Sequence, residues 1–104
     1  MTVTQAGLSI ECTNKIIRIF ERYDSIEEVI LYGSRAKGNY KPGSDIDLTL
    51  RGKNLNLSIL NKISLDLDDL LLPYTFDLSL YDHIKQSDLI DHIQRVGKVF
   101  YTKT

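Results

Sequence analysis

Three aspartates set in alternating apolar runs are the residues of this sequence best suited to chemistry. Asp45 and Asp47 lie in Ser44-Asp45-Ile46-Asp47-Leu48-Thr49-Leu50, and Asp77 in Thr75-Phe76-Asp77-Leu78-Ser79-Leu80. Residues two apart on a strand share a face. Asp45, Asp47 and Thr49 then point one way, with Ile46, Leu48 and Leu50 opposite. Thr75, Asp77 and Ser79 repeat the pattern. If the two strands are neighbours in one sheet, the three carboxylates meet. Like charges about 4 Å apart repel by roughly 4 kcal/mol at an effective dielectric near 20. Such a cluster either raises a pKa or binds cations. Turn chemistry after Pro42-Gly43 would account for Asp45, but not for charges inside strands at Asp47 and Asp77.

A second group stands just before them. Val29-Ile30-Leu31-Tyr32 is an unbroken apolar run that ends at Gly33-Ser34. It reads as a strand covered on both faces. Ser34 is expected to cap a short helix running toward Gly38. Backbone N–H groups at such a turn, with the helix dipole behind them, suit a phosphate. Gly33 would let it approach the backbone closely. Arg35, Lys37 and Lys41 add positive charge. Gly-Ser alone is a weak signal that more often marks an ordinary strand-to-helix turn; beside three carboxylates it fits a nucleoside triphosphate held with its magnesium. Mg²⁺ usually takes only one or two protein carboxylates. Two ions would clamp the attacking and leaving oxygens of an in-line displacement. The expected nucleotide-binding set is therefore Gly33, Ser34, Arg35, Lys37 and Ser44, with Asp45, Asp47 and Asp77 as metal ligands and catalytic groups.

These residues need a scaffold. Apolar periodicity predicts a helix over about Leu8 to Tyr23, with Cys12, Ile16, Ile19, Phe20 and Tyr23 on one stripe. A second long helix is expected over Leu57 to Leu72, with Leu60, Ile63, Leu67, Leu70 and Leu71 inward and Pro73 as its stop. Asp66, Asp68 and Asp69 on it read as solvated charge outside the metal site. A last helix runs from Ser87 to about Val96, with Leu89, Ile93 and Val96 inward and Gly97 after it. Val99-Phe100-Tyr101 can add a short strand. The expected class is α/β (α+β): a mixed sheet with helices mainly on its apolar face and the carboxylate face open.

The spacing Gly33-Ser34, ten residues, Asp45-x-Asp47, then Phe76-Asp77-Leu78 resembles the nucleotidyltransferase superfamily that includes DNA polymerase beta and kanamycin nucleotidyltransferase. Within it the chain most resembles the minimal nucleotidyltransferase (MNT) domains, from its first helix to Tyr101. The resemblance implies a nucleotidyltransferase palm. It implies that Gly33 and Ser34 hold the triphosphate of ATP, and that Asp45 and Asp47 bind both of two Mg²⁺ ions. Asp77 would bind one ion and help deprotonate the acceptor hydroxyl. It also implies a helical HEPN-type toxin as partner, with this chain the antitoxin that transfers AMP to a toxin tyrosine.

The rest of the sequence bounds these expectations. At 104 residues the length suits one domain, 1–104. A net charge of −1 and no basic run argue against tight nucleic-acid binding by this chain alone. The single cysteine, Cys12, excludes a disulfide framework and suits a reducing cytosol, hence a cytoplasmic protein. No apolar stretch approaches the roughly 18 residues of a membrane span, and the N-terminus lacks a signal-peptide core. His83 and His92 read as surface residues. Tyr40, in the loop between turn and carboxylates, either stacks on a base or packs on its neighbours. Tyr74, Tyr81 and Tyr101 read as core or interface. Little chain is left to grip an acceptor, so a second copy or a partner protein is expected to present it. Two other readings stay open: a module that neutralises its partner by occlusion alone, and an enzyme acting on a small hydroxylated molecule.

Overall fold

The computed structural model describes residues 4–5, 7–41 and 43–103. Strands β1 (Thr4–Gln5) and β2 (Leu8–Ser9) form a small antiparallel pair. Helix α1 spans Ile10–Glu21. Leu8 therefore belongs to a strand and is fully buried, two residues before the helix expected to start there. The boundary is set by Ser9, whose hydroxyl accepts from the Cys12 N–H at 3.1 Å and caps the first turn.

Strand β3 (Glu28–Tyr32), helix α2 (Gly33–Lys37), strand β4 (Ile46–Arg51), helix α3 (Leu57–Asp68) and strand β5 (Phe76–Leu80) follow. A 3₁₀ turn at Tyr81–His83, helix α4 (Ser87–Val96) and strand β6 (Lys98–Thr102) complete the described chain. The main sheet has the order β5-β4-β3-β6. Strand β3 is antiparallel to both β4 and β6, while β4 and β5 are parallel. A parallel pair needs a long crossover, and α3 supplies it.

The two longest helices, α1 and α3, cover the apolar face. Ile16, Ile19 and Phe20 from α1 and Ile63 and Leu67 from α3 are buried with Val29, Leu31, Ile46, Leu48 and Leu50. Tyr23 ties the two helices by donating its hydroxyl proton to the Asp66 carboxylate. Burial first, then this bond and the Asp66 charge, push the Tyr23 phenol up to about 12. Asp66 is thus a latch, not a solvated charge. Helix α3 ends at Asp68, four residues short of the expectation, and Leu71 is 88% exposed instead of inward. Its φ of 55° carries the chain out of the helix in the left-handed region.

Helices α2 and α4 pack on each other beside β3. Ile93 of α4 is buried but lies outside the main core. Gly97 approaches Ile30 so closely that an added Cβ would stand 2.8 Å from Ile30 Cγ2. Ile30 lies on the Tyr32 face of β3 by alternation. Helix α4 therefore flanks the carboxylate face at β3; over β4 and β5 that face is exposed at Asp45 and Asp77 and closed further along, where Thr49 is fully buried.

Candidate nucleotidyl-transfer site

The register brings the sequence motifs together. Tyr32 pairs with Asp47 across β3 and β4, and Asp47 pairs with Asp77 across β4 and β5. Paired residues share a face, so Tyr32, Asp47 and Asp77 form one row across three strands. Asp45 lies one residue before β4 and is exposed; Asp47 is half-buried.

Crowding in this row is electrostatically visible. Burial, then the charges of Asp77 and Asp45, push the Asp47 carboxyl up to about 6, with Asp77 in hydrogen-bonding reach. Burial, with the Asp77 and Asp47 charges adding, also raises the Tyr32 phenol. Among the described residues, no three or more His, Cys, Asp or Glu side chains are grouped closely enough to hold a metal ion by themselves. The geometry is that of carboxylates sharing a mouth, with Asp47 paying the repulsion. That donor set fits Mg²⁺, which keeps waters and completes its shell with substrate phosphates.

Gly33 needs its lack of a side chain for a reason the sequence did not reveal. Its φ is +77°, and a Cβ there would run into the Asp47 carboxylate. The close approach is made by Asp47. The glycine seats the turn against the acid row.

Three other expectations are corrected. Ser34 does not cap α2: it sits inside the helix, whose N-cap is Tyr32, with no side-chain cap bond. Arg35 does not stand in the turn's mouth. It is 4% exposed, and its Nε and Nη2 donate to the Ser44 carbonyl at 3.1 and 3.0 Å. The guanidinium also lies 5.1 Å from the ring centres of both Tyr40 and Tyr74. Its charge is engaged in fixing the loop that leads into Asp45. The Ser44 hydroxyl closes the same loop by accepting from the Lys41 N–H at 2.9 Å. Tyr40 packs on its neighbours: its ring would be 2.6 Å from a Cβ at Gly7. Lys37 is exposed beside the turn.

His92, read from sequence as a surface residue, is at the site. Its Nε2 accepts from the Gly33 N–H at 3.1 Å, and its ring stands edge-on to Tyr32 with centroids 6.2 Å apart. The contact joins positions 59 apart. The only local signal is that His92 adjoins the buried Ile93 on α4.

Two aspartates paired across β4 and β5, with Tyr32 beside them on β3, stand next to the glycine turn. The sequence pattern of the family "Polymerase beta, Nucleotidyltransferase" matches residues 14–104, and the chain belongs to that family. It is a nucleotidyltransferase. A protein of Methanocaldococcus jannaschii, provisionally named a protein adenylyltransferase, is 30% identical over 82 residues, covering 71% of this chain and 78% of the relative. A toxin–antitoxin crystal structure with AMP-PNP superposes at a TM-score of 0.70 with 22% identity, covering 88% of this chain and 73% of that one. An MNT antitoxin in complex with the tri-AMPylated HEPN toxin of Shewanella oneidensis gives 0.65 with 19% identity, covering 89% and 71%. At these identities the structures establish a shared fold. No helix among the described residues is long and apolar enough to cross a membrane.

Proposed function

We propose that this chain transfers AMP from ATP to a hydroxyl, a tyrosine of a helical HEPN-type partner, and thereby acts as an antitoxin. The reading rests on one observation above the others: Asp47 pairs with Asp77 across β4 and β5, with Asp45 two residues before it, so carboxylates crowd on one face. A native chain keeps such crowding where a cation relieves it. The relative named for protein adenylylation and the neighbours that are toxin–antitoxin complexes support the choice of donor and acceptor.

Asp45, Asp47 and Asp77 would hold two Mg²⁺ ions, which when bound offset the triphosphate charge and ease loss of the acceptor's proton. The acceptor oxygen bonds to the α-phosphorus, the bond to the bridging oxygen breaks, and pyrophosphate leaves. Asp77, on the edge strand β5, would take the hydroxyl proton. The Gly33-Ser34 turn and the exposed Lys37 ammonium hold the leaving phosphates. A docked partner turns a chance encounter into a fixed one, which supplies much of the rate.

The test uses α-labelled ATP, Mg²⁺ and the product of the adjacent gene. The label is expected on the partner with wild type, and absent with Asp45→Ala or Asp47→Ala. No transfer from any of the four common NTPs would overturn the proposal. Protection of cells by the Asp45→Ala, Asp47→Ala double variant would instead favour neutralisation by occlusion.

A further inference from the structure

The short helix α2 begins without a side-chain cap from its own neighbourhood. The cap comes from another helix. His92 Nε2 accepts from the Gly33 N–H at 3.1 Å, and the imidazole edge rests on Tyr32. Gly33 in turn is seated on the Asp47 carboxylate, close enough to exclude any Cβ. A continuous path therefore runs from α4 through Gly33 to the central acid of the row.

We infer that His92 is a positioning residue of the transfer site. Its contacts are with Gly33 and Tyr32, and it acts through Gly33. With the imidazole accepting at Nε2, its own proton sits on Nδ1. The Gly33 amide is held, the turn cannot swing away from β4, and Asp47 meets the incoming metal–nucleotide complex in one orientation. The contact also makes the site depend on α4 being seated against α2 and β3. This inference rests on reading the Asp47 row as the nucleotide site.

Two substitutions separate the acceptor from the packing. His92→Gln keeps an oxygen acceptor at about the reach of Nε2. His92→Phe keeps a ring edge for Tyr32 and removes the acceptor. Calorimetric titration with AMP-PNP in excess Mg²⁺ is expected to show His92→Phe binding roughly tenfold more weakly, the scale of one ordinary hydrogen bond to a placed group. His92→Gln should stay within about threefold of wild type, and a general packing role would not produce that contrast. Equal affinity of wild type and His92→Phe would overturn the role of His92 alone. Tighter binding by His92→Phe would overturn it too, by making the imidazole a competitor for the amide. A wild type that binds no AMP-PNP would overturn the site and this inference with it. Should His92→Phe fail to fold, the wild-type protein gives a second reading without nucleotide. Imidazole ¹⁵N spectra at neutral pH are expected to show Nδ1 protonated and Nε2 bare; a proton on Nε2 would overturn the inference.

Discussion

Asp47→Asn is expected to make the protein more stable and inactive at once. The folded chain lifts the Asp47 carboxyl from 3.8 to about 6. At 1.36 kcal/mol per pKa unit the full shift corresponds to about 3 kcal/mol. Asp47 is only partly withdrawn from water, so screening leaves about 1–2 kcal/mol. The sign is the reverse of the usual aspartate. The folded state binds this proton more tightly than the unfolded chain does. The stabilisation is therefore complete below pH 3.8 and is lost as pH rises through about 6. Above that range wild type bears the repulsion and the amide does not. In a domain of this size about 1–2 kcal/mol moves Tm by about 5–10 °C. Melting curves of both proteins from pH 3.5 to 8 without divalent ions provide the assay. The gap should be near zero at the acid end and reach its full size above pH 7. Adding Mg²⁺ at pH 7.5 should narrow it by raising wild type. An Asp47→Asn protein no more stable than wild type at pH 7.5, or a gap that ignores pH, would refute the reasoning.

Three further outcomes are expected. Arg35→Lys loses the forked pair of bonds to the Ser44 carbonyl and the flat surface between Tyr40 and Tyr74. Denaturant unfolding should register a loss of about 1–3 kcal/mol. Leu71→Gly relieves an exposed side chain from the left-handed region and should gain about 0.5–1 kcal/mol in the same measurement. Gly33→Ala meets both the positive φ and the Asp47 carboxylate. It should lose about 2 kcal/mol or more, and AMP-PNP titration should show weakened binding.

What the sequence disclosed was periodic, and what it concealed was contact. Alternation around Asp47 and Asp77 is a property of each strand alone, so the face of each acid was readable before any fold was known. The strands also had to be neighbours, and the crossover through α3 made them so. Arg35 was misjudged because its partners are a carbonyl nine positions on and the ring of Tyr74, which only the folded loop assembles. A cation beside a phosphate-like turn looks the same in sequence whether it faces solvent or is buried. Gly33 has a second neighbour, the Asp47 carboxylate, that the sequence did not show. His92 carried little readable sign beyond its place next to Ile93, since its acceptor meets an amide 59 positions away. Leu71 continued the apolar period of α3 by chance after the helix had already ended.

Strand β5 is the outermost strand on its side of the sheet and is five residues long. An edge strand can invite another chain to add to it, and proteins commonly blunt such edges with brevity and charge. Asp77 sits second in that run, exposed and ionisable. The carboxylate that completes the acid row also discourages a second copy from zipping onto the sheet. Neutralising it would then do more than silence chemistry: it would remove a guard against self-association.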